Sequence, residues 1–126
     1  VPKLIETAGN IVNIASTAAI SPRAGLTWYN GTKGAVVTLT KSMAIELAPH
    51  RVRVNAVNPV LGTTGLTARF MGGIDNSIIR EKFISTIPLG RMSTPLDIAN
   101  ATLFLACHEA DLVTGLCMEI DGGRCI

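Results

Sequence analysis

Aromatic residues are scarce in this chain: one Trp, one Tyr and three Phe among 126 residues. The stacking platforms that grip single-stranded nucleic acid need more rings than that. Charge is also thin, at 16%, and the net value of +2 comes from scattered residues rather than a Lys/Arg run. Neither nucleic acid nor an anionic membrane surface is therefore an expected partner. Histidine occurs only at His50 and His108, and cysteine only at Cys107, Cys117 and Cys125. An odd number of widely spaced cysteines without histidine partners speaks against a disulfide framework and against a bound metal. It favours free thiols in a reducing, cytoplasmic compartment. No apolar run is long enough to span a membrane. No signal peptide is evident, but the chain begins at Val1 rather than Met, so that absence excludes nothing.

Apolar residues, by contrast, make up 48% of the chain, a core-rich composition suited to one small domain. Ile11, Val12 and Ile14 form a short β-branched run after Gly9, as a strand buried in a parallel sheet does. Residues 16–27 read as a loop broken by Pro22 and Gly25. A long helix is expected over residues 29–47, with Val36, Leu39, Met43 and Leu47 at helical spacing and Pro49 as its stop. Gly31 and Gly34 near its start suggest close approach of another backbone. Residues 53–58 form a second strand candidate ended by Pro59, and residues 60–73, rich in Gly and Thr, read as a mobile loop. A short helix over residues 76–86 and a turn over 88–91 follow. Thr94, Pro95 and Asp97 then carry the cap, first-turn proline and capping partner of a helix reaching about Cys107. Residues 114–121 form a third strand, broken by Gly122-Gly123. Strands alternating with helical crossovers imply an α/β fold with a parallel sheet.

Tyr29 and Lys33 stand four apart, one turn along the same helix face. Alone, that spacing is common by chance. Ser16, however, lies at the carboxyl end of the first strand, thirteen residues before Tyr29, and ligands of open parallel sheets bind just beyond such ends. Asn58-Pro59 marks a second strand end, followed by a loop long enough to cover a site. Singly, Ser16 reads best as a backbone cap, Tyr29 as a half-buried ring and Lys33 as a solvated charge. Jointly they point to a reaction centre.

The segments N-I-V-N-I-A-S, Y-N-G-T-K, K-S-M-A-I-E-L-A, R-V-R-V-N-A-V-N-P, P-L-G-R-M-S-T-P-L-D-I-A-N and T-G-L-C-M-E-I-D-G-G occur in this order from Gly9 onward. The chain in this respect resembles the short-chain dehydrogenase/reductase family, in particular its single-domain reductases and dehydrogenases. The resemblance implies a Rossmann-like sheet and an NAD- or NADP-dependent interconversion of a secondary alcohol and a ketone. It implies Ser16, Tyr29 and Lys33 as catalytic residues. Tyr29 would exchange a proton with the substrate oxygen, Ser16 would hydrogen-bond that oxygen, and the cofactor would supply hydride. A free phenol titrates near about 10, too high for a good base at neutrality, and an ammonium one turn away favours its anion. Lys33 is placed to supply that charge, and the family also uses this lysine on the nicotinamide ribose.

The family's loop after the second strand reads Pro-Gly, then Thr four positions after that glycine, and closes on the nicotinamide carboxamide. Pro59 and Thr64 match it. Val60 replaces the glycine, and Gly62 stands where Ile or Val is common, so backbone contacts at Gly62 remain available. The cofactor-binding set implied is thus Tyr29, Lys33, Pro59, Gly62 and Thr64. The family's glycine-rich phosphate loop, its ribose-selecting residue and its extra active-site asparagine have no counterpart in these residues. Residues 1–126 therefore read as the C-terminal portion of one domain, about half of a subunit of roughly 250 residues. Ile11 to Ala15 are then expected to pair along one edge with a strand outside the chain. A catalytically silent fragment or assembly partner is the alternative. A homodimer or homotetramer, paired through the Tyr29 helix and the last strand, is implied by the resemblance. Substrate choice is expected within residues 61–87. There Arg69 reads as a solvated charge, with contact to an anionic substrate group as the alternative.

Overall fold

The computed structural model of the chain describes residues 1–65, 67–71 and 76–126, and within the second range the side chains of Arg69 and Phe70 are not described. The one basic residue singled out in the substrate segment, Arg69, therefore has its side chain outside the described residues.

Three strands form one parallel sheet: β1 (Asn10–Ile14), β2 (Arg53–Pro59) and β3 (Cys117–Ile120), in the order β1-β2-β3. Among the described residues the α-helices are α1 (Pro2–Thr7), α2 (Thr27–Leu47), α3 (Thr67–Phe70), α4 (Ser77–Ile84) and α5 (Pro95–Ala106), with short 3-10 turns at Thr17–Ala19, Ala48–His50 and His108–Ala110. The α/β class and the parallel sheet expected from the strand–helix alternation are what the chain adopts. Its boundaries differ modestly. The long helix starts two residues before Tyr29, and β3 is shorter than the 114–121 run. The loop expected over 60–73 contains the single helical turn α3. One short helix, α1, has no buried residue and lacks the periodic apolar pattern that would have announced it.

β2 is the centre of the core. Val54, Ala56 and Val57 are wholly buried, as a central parallel strand covered on both faces requires. Asn13 reaches Thr40 of α2 at 2.9 Å, whereas Asn10, three residues earlier and so on the opposite face, reaches the carbonyl of Ala106 in α5 at 3.1 Å. The two long helices thus cover opposite faces of the sheet. Thr94 and Asp97 form a reciprocal capping box at the start of α5, as their spacing predicts. Gly31 and Gly34 face open space: among the described residues, no atom beyond their own helix turns lies within 4 Å of where a side chain would begin.

The outer edge of β1 carries no strand among the described residues, and Ile14 at its end is half exposed. Of the two wholly buried asparagines of β2, Asn58 leaves its Oδ1 without a hydrogen-bond partner among the described residues, whereas Asn55 is matched on both sides. Asn55, fully buried, donates to the Val113 carbonyl at 2.8 Å and accepts the Leu116 N–H at 3.0 Å, clamping the approach to β3. Replacing Asn55 with Ala strands both backbone groups, and a cost of about 2 kcal/mol is expected in urea denaturation. A change below about 0.5 kcal/mol would mean that the clamp is redundant.

Candidate active site

The register of β1 on β2 sets the site. Ile14 pairs with Val57, and the Ala15 N–H extends the ladder to the Val57 carbonyl at 2.9 Å. Both strands therefore end on the same rim of the sheet. Ser16 follows immediately, buried and extended, and its Oγ accepts the Ala18 N–H at 3.1 Å. This is the backbone cap that Ser16 suggests when read alone. It occupies an acceptor site of the hydroxyl and leaves the proton free to donate. Thr17 then donates to the Pro59 carbonyl at 3.3 Å, tying the two strand ends together.

The first turns of α2 rise from the same rim. Lys33 Nζ donates to the Ile14 carbonyl at 2.9 Å and lies 5.8 Å from the centroid of the Tyr29 ring. That separation is within cation–π range, so the ammonium and the phenol share one side of the helix. Tyr29 itself is half-buried.

Ser16, Tyr29, Lys33, Pro59, Gly62 and Thr64 all line one cleft of about 280 Å³. The residues named from the sequence for the catalytic and cofactor roles thus line a single cavity. Sequence reading missed other parts of its wall. Arg23 and Leu26 come from the loop before α2, Phe83 from α4 and Arg124 from the tail. Each is an ordinary loop, helix or tail residue by local pattern, and only the tertiary fold gathers them. Thr67 was missed as well. Its buried Oγ1 lies 2.8 Å from the Gly62 carbonyl and 2.6 Å from the Thr64 carbonyl, and accepts the Thr64 N–H at 2.9 Å. A threonine opening a helical turn is a known device for tying such a loop, and that signal was available.

The departures from the usual loop pattern have a packing basis. Val60 is buried with Met71, Phe83, Ile87 and Met92 in a small apolar cluster beneath the cleft. Gly62 bridges Ser93, and a Cβ there would sit 2.7 Å from Ser93 Oγ and 2.9 Å from its carbonyl oxygen. Ser93 is held in turn by its hydrogen bond to the Val60 carbonyl at 3.1 Å. Arg91 grips Asp97 with two bonds of 2.7 and 2.8 Å just beyond it. The hydrogen bonds from Arg91, and then those from Thr94, hold the Asp97 carboxyl well below the usual carboxylate range.

At the other end of the cleft, the tail turns on Asp121. Its carboxylate accepts the Gly123 N–H at 2.9 Å and the Cys125 N–H at 2.8 Å, while Gly122 and Gly123 take positive φ of 64° and 88°. The turn carries Arg124 to the cleft wall. Burial alone would raise the Asp121 pKa, but these backbone donors outweigh it and hold it below its ordinary value. Burial, with the Asp121 carboxylate beside it, pushes the Cys125 thiol up to about 11. Among the described residues no three His, Cys, Asp or Glu side chains cluster as a metal site would, and no helix is long and apolar enough to cross a membrane.

Comparison with known proteins gives consistent results. A family model described as enoyl-(acyl carrier protein) reductase matches residues 1–124. The chain is 51% identical, over 92% of its length, to a 4-formylbenzenesulfonate dehydrogenase of Comamonas testosteroni, of which it covers 46%. It is 40% identical over its whole length to a 3-oxoacyl-[acyl-carrier-protein] reductase of Thermotoga maritima, covering 50% of that protein. Among solved structures, the 3-ketoacyl-(acyl-carrier-protein) reductase of Brucella melitensis complexed with NADH superposes with a TM-score of 0.91 at 44% identity. That match covers all of this chain and 50% of the other. The chain spans about half the length of the curated relatives it matches.

Two outcomes are expected from this geometry. Gly62→Val must displace Ser93 or the loop, and a loss of about 1–3 kcal/mol in denaturant stability is expected, with Gly62→Ala milder. Unchanged stability in Gly62→Val would show that the loop repacks freely. For Asp121, a depressed folded pKa means stability that is present above the unfolded value of about 4 and is lost as pH falls through the folded value. The acid-side loss of stability should therefore be smaller in Asp121→Asn than in the parent. Superimposable acid profiles would contradict the role given to the turn.

Proposed function

The chain belongs to the short-chain dehydrogenase/reductase family, and from that premise we propose that it carries the chemistry of an NAD(P)-dependent oxidoreductase interconverting a secondary alcohol and a ketone. One observation supports this most: Ser16, Tyr29 and Lys33 line the same cleft as Pro59, Gly62 and Thr64, at the carboxyl ends of β1 and β2.

A ketone that accepts hydride gathers negative charge on its oxygen. Ser16, whose Oγ already accepts the Ala18 N–H, donates its proton towards that oxygen and fixes its position. Tyr29 gives its phenolic proton to the same oxygen in the reductive direction and removes it in the oxidative one. The Lys33 ammonium, close to the Tyr29 ring, offsets the charge left on the phenol oxygen.

The cleft fits the nicotinamide end of a dinucleotide. Its volume of about 280 Å³ sits at the lower end of ligand pockets, and apolar Ile14, Val60 and Leu61 share its wall with Lys33 and Thr64. Bound there, the cofactor supplies the hydride. Lys33 would hold ribose hydroxyls, and Pro59, Gly62 and Thr64 would border the carboxamide. The phosphates need a glycine loop, which we place in residues outside this chain. The outer edge of β1, which pairs with no strand among the described residues, and the half-exposed Ile14 support a neighbouring strand from the same source. A homo-oligomer paired through α2 and β3 is favoured by Trp28, Leu39 and Ile45, all exposed on α2. The free thiols suit a reducing, cytoplasmic setting.

The test is Tyr29→Phe in the full-length protein. Hydride transfer is expected to fall by about 10²- to 10⁴-fold, while NADH or NADPH binding, read by fluorescence, changes little. Undiminished turnover would remove Tyr29 from the chemistry. Failure of the parent protein to bind either nucleotide would favour the silent, assembly-partner reading.

A further inference from the structure

Two guanidinium groups share the cleft with the proposed reaction centre. Arg23 Cζ and Arg124 Cζ each lie 5.1 Å from the centroid of the Phe83 ring, and all three residues line the cavity. The two cations are thus within about 10 Å of each other, close enough to repel. Among the described residues the ion pairs are Lys3–Glu6, Arg91–Asp97 and His108–Asp111, so neither arginine is matched by a carboxylate. Both are partly withdrawn from water, and burial, followed by the Arg124 charge, lowers the pKa of Arg23.

These are not loose surface charges. Arg124 Nε donates to Thr86 Oγ1 at 3.0 Å, and the Asp121 turn fixes the backbone on both sides of Arg124. Arg23 is held through its backbone, whose carbonyl accepts from Asn30 Nδ2 at 2.9 Å in the second turn of α2. The same helix carries Tyr29, so this charge is set in a fixed relation to the phenol. Two like charges at the wall of a cleft with an apolar floor are unfavourable when it is empty. An entering anion reverses that, because guanidinium groups bind oxyanions with paired hydrogen bonds.

We propose that Arg23 and Arg124, braced by Phe83, recognise an oxyanion group, a carboxylate or sulfonate, on an apolar substrate whose carbonyl lies at Ser16 and Tyr29. This rests on the oxidoreductase reading above and adds the substrate class to it. Phe83 contributes the apolar surface between charge and reacting carbon, joined by Leu26 and Leu61.

The experiment compares matched ketones in the full-length protein with NADH and NADPH. 4-Acetylbenzoate and 4-acetylbenzenesulfonate are set against the neutral 4-acetylbenzamide and 4-acetylbenzenesulfonamide. At least about tenfold higher kcat/KM is expected for the anions. Arg23→Gln and Arg124→Gln should each erase most of that preference, lowering kcat/KM for the anions at least about fivefold more than for the neutral ketones. Equal treatment of charged and neutral ketones by the parent overturns the proposal. So does an equal loss on all four ketones with weakened nucleotide binding, which would assign the arginines to the cofactor. A calorimetric titration with 4-toluenesulfonate and 4-toluenesulfonamide separates the two readings. If no ketone is reduced, the oxidoreductase reading fails. The anion site then stands on tighter sulfonate binding that Arg23→Gln abolishes, and falls if both ligands bind alike.

Discussion

The pairing of β1 with β2 is the constraint from which the site follows. Because Ile14 lies beside Val57 and Ala15 continues the ladder, the two strands end together, and Ser16 and Pro59 emerge on one rim. A slip of one residue would turn the side chains of β1 to the wrong faces and separate Asn13 from Thr40. The Lys33 bond to the Ile14 carbonyl then pins the start of α2 to that rim. Phenol, ammonium and alcohol come together because one register and one helix entry are fixed, not because the three are close in sequence.

The loop that borders the cleft is braced in a second way. Thr67 ties the turn through Gly62 and Thr64, while Ser93 packs so closely that only glycine fits at position 62. The Arg91–Asp97 pair is exposed, and its worth lies in geometry more than in charge energy. It steadies the segment that meets Gly62. Polar groups are therefore spent on holding backbone at the rim, and the apolar cluster around Val60 supplies the floor.

Much of this was legible in the residues. The β-branched run before Ser16 and the capping residues Thr94 and Asp97 are local signals that located β1 and α5, and the spacing of Tyr29 and Lys33 picked out two residues that line one cleft with Ser16. α1 was not legible, since six residues without a buried face leave no periodic trace. Arg23, Phe83 and Arg124 were invisible for another reason. They are gathered by a loop, a helix and a tail whose meeting depends on the Asp121 turn and on packing over β2. Gly31 and Gly34 suggested a close neighbour that the described residues do not supply.

Convergence of Ser16 and Tyr29 on one substrate oxygen is the central claim, and a crystal structure of the full-length protein with a nicotinamide nucleotide and a ketone or alcohol tests it most directly. The account predicts both hydroxyl oxygens within hydrogen-bond distance of that atom, with Lys33 on the same side. A Tyr29 oxygen directed away from Ser16, or a substrate oxygen held by other groups, would contradict it.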